Sequence, residues 1–249
     1  MRRGLADTRT AAHEAIVGGK VVVGGRATAK PATLVSPDEP IEVAGSQAAW
    51  ASRAGQKLAA ALDRFGLDVS AANALDVGAS TGGFTDVLLT RGAARVVALD
   101  VGYGQLLWRL RTDPRVVVVD RTNFRTADPA ALGAPFDAVV VDVSFIGLSL
   151  LTPNLARAGR PGTDYVVLVK PQFEVGRSRV GAGGVVRDPQ AHRDAVRTVA
   201  AALANAGIGV QGAMPSPISG AKGNREFLVH GRLGAAGIAA DEAADEAAP

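Results

Sequence analysis

The chain has 249 residues, 27 Lys plus Arg against 24 Asp plus Glu, 47% hydrophobic content, three His and no Cys. That length suits one large domain, or one domain with a small companion, and the longest uninterrupted apolar run is six residues, Val199 to Ala204, against the roughly 18 that a membrane-spanning helix needs. Without Cys there are no disulfides, thiolate nucleophiles or Cys-based zinc sites, and His13, His192 and His230 are too scattered for metal-ligand spacing, so no metal is expected.

The net charge of +3 hides an asymmetry, because residues 233–249 hold four acids and no Lys or Arg. Residues 1–30 carry six Lys or Arg against Asp7 and Glu14, a balance that suits a polyanion such as RNA, although a basic stretch is more often only a solvated face. The amino end is basic but runs into no apolar block, so no secretory signal is read and a cytoplasmic location is expected.

In chain order, Thr8 to Val17 has helical spacing behind a possible Thr cap and is stopped by Gly18-Gly19. Lys20 to Val23 reads as a strand, Gly24-Gly25 as a hairpin turn, and Ile41 to Val43 as a further strand, giving a helix and a small curled sheet over residues 1–45. A short linker is expected at 46–51.

From Ser52 onward, short Val-rich runs at Ala74–Val77, Arg95–Asp100, Arg115–Val119, Asp137–Val143 and Tyr165–Val169 suit strands buried on both faces. Helix candidates lie between them near Gly83–Arg91, Gln105–Arg111, Ile146–Ala158 and Ala191–Ala206, so a parallel sheet with right-handed crossovers follows. Two last strands, near Gly209–Met214 and Glu226–Val229, add an antiparallel edge and make seven. The Gly- and Arg-rich segment 176–187 is expected to be a mobile loop when empty. The acidic stretch within 235–249 is expected to be a solvated helix end or a disordered tail.

Gly78-Ala79-Ser80-Thr81-Gly82-Gly83-Phe84 follows the first strand of this body and opens a helix, at the edge where open α/β sheets bind ligands. The spacing is not the Gly-x-Gly-x-x-Gly of a dinucleotide site, and S-adenosylmethionine, which has no phosphate, fits it better. Gly78 and Gly82 would let its methionyl end approach the backbone, and Asp76 would serve its ammonium directly or through water. Asp100, with Val101 beside it, stands where such folds place an acid against ribose hydroxyls, and Asp120 is a candidate near the adenine. Each strand-end Asp has an alternative reading as a helix or turn cap.

Three more polar residues interrupt apolar strand ends: Asp142, Lys170 and Glu226. A Lys directly after Tyr165–Val169 is a costly place for a charge unless a carboxylate meets it, and a structural ion pair of Lys170 with Asp142 is the plainer explanation. The order Lys57, Asp142, Lys170, Glu226 resembles the Lys-Asp-Lys-Glu tetrad of FtsJ-type RNA 2′-O-methyltransferases. Ser52-Arg53-Ala54-Gly55-Gln56-Lys57-Leu58, Asp76 through Thr85, Asp100-Val101-Gly102-Tyr103-Gly104-Gln105-Leu106 and Lys170-Pro171-Gln172-Phe173-Glu174 together resemble the TlyA family, over nearly the whole chain.

The resemblance implies a Rossmann-like α/β methyltransferase over 52–234, using S-adenosylmethionine to methylate the ribose 2′-hydroxyl of cytidine in ribosomal RNA of the large subunit and, in some members, the small. It implies Lys57, Asp142, Lys170 and Glu226 as the catalytic set, with Asp142 also near the cofactor. A ribose hydroxyl is a poor nucleophile and needs a base or strong hydrogen bonding together with in-line placement. Lys170, flanked by Lys57 and partly desolvated, is expected to be the base or the hydroxyl-steering group, with Asp142 and Glu226 orienting the two lysines.

The stretch Gly4 to Val21 is similar to the RNA-binding domain named after ribosomal protein S-four, here expected as a small truncated α+β domain, since the chain begins at Met1-Arg2-Arg3-Gly4-Leu5 where relatives carry a preceding helix. Arg9, Lys20, Arg26 and Lys30 are candidates for RNA backbone contacts, with Arg53 in the body, and Phe145 for the target nucleotide. Trp50 and Trp108 are expected to pack rather than to stack on bases. The expected partners are ribosomal RNA and ribosomal subunits, with no membrane, and a monomer is favoured. Two other classes remain: a membrane-active cytolysin, suggested by the family's haemolysin name but without an amphipathic insertion element, and a ribosome-associated RNA-binding protein with a vestigial methyltransferase body.

Overall fold

A computed structural model describes residues 5, 9–28, 30–36, 39, 41–43 and 50–248. The expected Thr8 cap and most of the 46–51 linker lie outside the described residues.

The first described elements are α1 (Arg9–Val17), β1 (Val21–Val23), β2 (Arg26–Thr28) and β3 (Ile41–Val43). Gly19, at φ +68°, ends the helix, and the Lys20 N–H returns to the Ala15 carbonyl at 2.9 Å. Gly24 and Gly25, at φ +54° and +78°, form the tight turn that pairs Val23 with Arg26. β1 is the central strand, antiparallel to both β2 and β3.

The body opens with α2 (Ala54–Phe65), a helix the sequence reading did not mark. Leu58, Ala61 and Leu62 share its buried stripe with Lys57, and Gly66 closes it in the left-handed conformation. The strands β4 (Asn73–Val77), β5 (Arg95–Leu99), β6 (Val116–Val119), β7 (Phe136–Val141), β8 (Gly159–Val169), β9 (Ile208–Pro215) and β10 (Phe227–Leu233) form one sheet in the order β6-β5-β4-β7-β8-β10-β9. β4 to β8 are parallel, and β10 runs antiparallel between β8 and β9. This is the Rossmann-like, mostly parallel seven-stranded arrangement.

Successive residues of the central strands serve opposite layers, so the Val-rich runs need no polar face. Leu75, Val77, Val139, Val141, Val167 and Val169 face one core with Leu155, Val196, Val199 and Ala244. Ala74, Val96, Val140, Val166 and Leu168 face the other, with Leu58, Leu62 and Leu88. Each such Val or Leu stabilises the fold by about 1.5–3 kcal/mol on burial.

The crossovers are α3 (Gly83–Thr90), α4 (Trp108–Arg111), α5 (Pro129–Leu132), α6 (Thr152–Ala158), α7 (Pro171–Glu174) and α8 (Pro189–Asn205). α8 starts on an Asp188 side chain that accepts the Gln190 N–H at 2.9 Å, with Pro189 at its first position, and buries Ala191, Ala195, Val196, Val199, Ala200 and Leu203. The helix expected over 105–111 is a single turn, and Trp108 on it is 56% exposed, which corrects the expectation that it packs. Trp50 does pack, against Gly55.

Of the two expectations for the acidic stretch, the structure takes the helix over the tail, but with one face buried rather than solvated all round. Ala240–Ala247 form α9, whose Ala243, Ala244 and Ala247 are fully buried against the core. Arg193 pairs with Asp245 and Arg197 with Asp241, and Glu246 accepts the Ala213 N–H at 2.9 Å. A one-sided Ala stripe carries little hydropathy in sequence, and its acids drew attention to the solvent face. The segment 176–187 is braced by two short 3₁₀ turns and an isolated Gly181–Val185 bridge. No helix among the described residues is long and apolar enough to cross a membrane.

Candidate active site

Parallel strands all present their carboxyl ends at one edge, and Gly78, Asp100, Asp120, Asp142 and Lys170 follow β4 to β8 there. The register sets Val77 beside Val141 and Val141 beside Val167, so Gly78, Asp142 and Lys170 follow adjacent strands out of the core. Phe227 pairs with Val169, which brings Glu226 across from Lys170 although 56 positions separate them in the chain.

The four tetrad residues form two ion pairs. Lys170 Nζ lies 2.6 Å from Asp142 Oδ1 and 2.9 Å from Ser144 Oγ. Lys57 Nζ lies 2.5 Å from Glu226 Oε2, with both side chains buried. Each lysine therefore meets a carboxylate, which answers the cost of placing a charge there. Three N–H donors on an ammonium leave Lys170 one beyond Asp142 and Ser144.

Two adjoining clefts of about 200 and 320 Å³ open at this edge. Gly78, Ala79, Ser80, Thr81, Gly83, Phe84, Asp142 and Lys170 line the smaller. Gly78, Ser80, Asp100, Val101, Asp142 and Phe145 are among those lining the larger. Taken together, they have the size of pockets that take nucleoside-sized ligands.

Three residues expected at the cofactor do not line either cleft: Asp76, Gly82 and Asp120. Asp120 accepts from Arg111 Nη1 at 3.0 Å and from the Gly104 N–H at 3.3 Å, the alternative role of a strand-end Asp. A Cβ on Gly82 would stand 2.3 Å from Leu110 Cδ1, so this glycine, at φ +97°, makes room for protein rather than for a ligand. Gly78, at φ +89°, lines both clefts and is also closed in by protein, since a Cβ there would meet the Asp142 carbonyl oxygen at 2.4 Å. The bare glycine lets β4 and β7 release their chains side by side.

Asp100 is tied into the loop through the Ser80 N–H at 2.8 Å and the Gly102 N–H at 2.7 Å while still facing the larger cleft. The sequence reading missed Ser144, Gln105, Thr122, Asn123 and Phe124 in the lining. Ser144 had a usable signal, two residues after Asp142 at a strand end. The others follow β5 and β6 in loops that carry no periodicity.

Asp76 is fully buried. Its Oδ2 accepts from Thr85 Oγ1 at 2.6 Å, and its Oδ1 has no partner. Burial pushes its carboxyl up to about 7, with Asp142 and Asp100 adding to the rise against the opposing Thr85 bond. Between the usual carboxylate range and about 7 the folded chain thus keeps a proton that the unfolded chain has released. The associated stability is complete at low pH and lost as pH rises through about 7. Asp76→Asn is expected to flatten the fall in thermal midpoint between pH 5 and 8, and a fall as steep as that of the unaltered chain would refute this origin.

Phe145 stands at the mouth of the larger cleft, 90% exposed and at φ +67°, a strained backbone for a bulky residue. Its ring centroid lies 5.2 Å from that of Phe173. Glu174 holds the neighbouring segment by accepting the Leu148 N–H at 3.0 Å. Arg53 lies next to Ser52 of the cleft, and its side chain is exposed. Arg9, Lys20, Arg26 and Lys30 are all exposed, at the start of α1, before β1, at the start of β2 and after it. His192 and His230 are buried and satisfied, by the Val186 carbonyl and Asp164, and His13 is exposed. No group of acids and His among the described residues is arranged to hold a metal ion.

This geometry has close counterparts. The profile of the FtsJ-like methyltransferase family matches residues 50–233. The chain is 50% identical over 230 residues to the 16S/23S rRNA (cytidine-2′-O)-methyltransferase TlyA of Mycobacterium tuberculosis, a match that covers 92% of this chain and 86% of that protein. It is 46% identical over 232 residues to the putative rRNA methyltransferase YqxC of Bacillus subtilis, covering 92% and 82%. The solved structure of a putative hemolysin from Streptococcus thermophilus matches with a TM-score of 0.78 at 39% identity, over 98% of this chain and 91% of that one. With the Lys170–Asp142 pair lining the cleft and the buried Lys57–Glu226 pair behind it, the chain belongs to the FtsJ-like methyltransferase family, alongside its TlyA members.

Proposed function

We propose that this methyltransferase uses S-adenosylmethionine to methylate the ribose 2′-hydroxyl of cytidine in ribosomal RNA. The observation that carries the reading is the Lys170–Asp142 pair at 2.6 Å, set beside the Gly78–Phe84 turn where the two clefts join. The residues present suit the cofactor: Asp100 at the rim for hydroxyls, Val143, Ile146 and Leu151 as apolar wall for a flat base, and, directly behind Val77 of the cleft wall, the partnerless Asp76 Oδ1 as a buried carboxyl whose ionisation a cationic group would favour. When bound, S-adenosylmethionine supplies an electrophilic methyl group.

The rest is work for the protein's own residues. Lys170 Nζ, fixed between Asp142 and Ser144, engages the ribose hydroxyl and steers its oxygen for attack, and the Lys170–Asp142 pair takes the released proton. Lys57 and Glu226 are a positioning pair that ties α2 to the start of β10 beside it. Phe145 offers its exposed face to the target base. Residues 1–45 act as the S-four-type RNA-binding unit, with Arg9, Lys20, Arg26 and Lys30 on phosphates and Arg53 extending the contact into the body. The protein works as a cytoplasmic monomer on ribosomal subunits.

Incubation with methyl-labelled S-adenosylmethionine and unmethylated ribosomal subunits is expected to place label on ribosomal RNA, at a cytidine ribose that alkali no longer cleaves. Label confined to bases or protein, or none at all, would sink the reading.

A further inference from the structure

Two loops flank the Lys170–Glu226 edge, and one side chain joins them. The first runs from α7 to α8 over 176–187, and the second from β9 to β10 over 216–226. Asn224, almost fully buried, accepts the Val186 N–H at 3.0 Å through Oδ1 and donates to the Gly184 carbonyl at 2.9 Å through Nδ2. Two residues later the chain reaches Glu226, and Gly220 of the same loop lies against the Glu226 carboxylate so closely that a Cβ there would overlap it. The loops are thus registered on the catalytic edge itself.

Their charge is one-sided. Asp188 and Asp194 are both engaged by Arg179, and Glu226 by Lys57, so the acids of the second loop and of the start of α8 are already neutralised. Arg177, Arg187 and Lys222 are exposed and, among the described residues, have no acidic partner. Arg225 is exposed with its guanidinium 6.0 Å from the centre of the Phe227 ring. Arg187 Nη1 lies 3.6 Å from the place of a Cβ on Gly181, and Lys222 Nζ lies 3.9 Å from that on Gly184, which gathers both cations around the glycine turn. Lys222 sits at the tip of its own turn at φ +59°, a left-handed conformation that strains a residue with a β-carbon.

We propose that the two loops form a single rim that grips RNA phosphates flanking the target nucleotide, through Arg177, Arg187, Lys222 and Arg225. The inference rests on the ribose-methylation reading and adds to it a contact surface on the body, separate from residues 1–45. Cations without acidic partners, mounted on glycine turns, meet a phosphate backbone without reading its bases, so the rim supplies affinity and orientation rather than sequence choice.

The test uses unmethylated large ribosomal subunits as probe and the full chain carrying Arg177→Ala, Arg187→Ala and Lys222→Gly together; Gly suits the left-handed backbone at 222. Binding measured across a salt series is expected to lose about one unit of slope in log K against log salt per cation, or about three in the triple variant. KM for subunits is expected to rise with kcat retained at saturation, and S-adenosylmethionine affinity by calorimetry to stay unchanged, which also reports a folded chain. Asn224→Ala keeps every cation but unties the loops, and is expected to weaken binding as well. Arg157→Ala, an exposed cation paired with Asp128 elsewhere, serves as control. A triple variant with unaltered affinity and slope, on a chain that methylates normally, overturns the rim alone. An unaltered chain that neither binds nor methylates subunits overturns the ribose-methylation reading and the rim with it.

Discussion

Lys170→Ala is expected to lower methyl transfer by about 10²–10⁴-fold, the usual worth of a positioned acid–base group, while S-adenosylmethionine still binds. The reason is the geometry of one nitrogen. Lys170 Nζ has Asp142 on one side at 2.6 Å and Ser144 on another at 2.9 Å, and its remaining direction is toward the cleft. No neighbouring side chain can take its place, because Lys57 is held by Glu226. Ala removes the group that meets the hydroxyl but leaves the Gly78–Phe84 turn and Asp100 untouched. Single-turnover label transfer and calorimetric cofactor binding, measured on the same preparation, separate the two effects. Lys170→Arg is not expected to rescue, since a planar guanidinium cannot stand between two acceptors as a compact ammonium does. Normal turnover in Lys170→Ala, or loss of cofactor binding equal to the loss of rate, would remove Lys170 from the chemistry.

What could be read in advance follows from where the signal is local. Val139-Val140-Val141 and Val166-Val167-Leu168-Val169 announce strands with both faces buried, and the polar residue that ends each run marks the ligand edge. Asp142 and Lys170 were therefore visible as a pair before any coordinates. Glu226 read locally as an acid at the start of a strand and joined the set only through the family resemblance; its placement across from Lys170 depends on β10 entering antiparallel between β8 and β9, which no local pattern dictates. The fate of glycines was equally non-local. Gly82 carries the look of a ligand cradle, and only the packing of Leu106 and Leu110 shows what fills the space. Lys57 shows the limit most plainly, since a lysine on the buried stripe of α2 makes sense only once Glu226 is known to meet it.

That dependence makes the Lys57–Glu226 pair the place to separate stability from function. Removing either partner leaves a buried charge without its counter-ion, so Lys57→Met and Glu226→Leu are each expected to destabilise the fold by about 3–5 kcal/mol. The double variant replaces both charges with apolar chains of similar size, and is expected to regain most of that loss, because the penalty comes from the orphaned charge more than from the missing attraction. Chemical denaturation of the four proteins closes the cycle. If the double variant is as unstable as the sum of the singles, the two groups do not compensate each other. Methyl transfer is expected to behave differently and to stay low, with kcat reduced more than KM for subunits, even where folding has recovered. The buried ion pair would then hold α2 and the start of β10 in the one arrangement that sets the Lys170–Asp142 pair against the cleft, a directional constraint that Met and Leu lack. Recovery of both stability and kcat in the double variant would instead leave the pair with no role beyond filling the core.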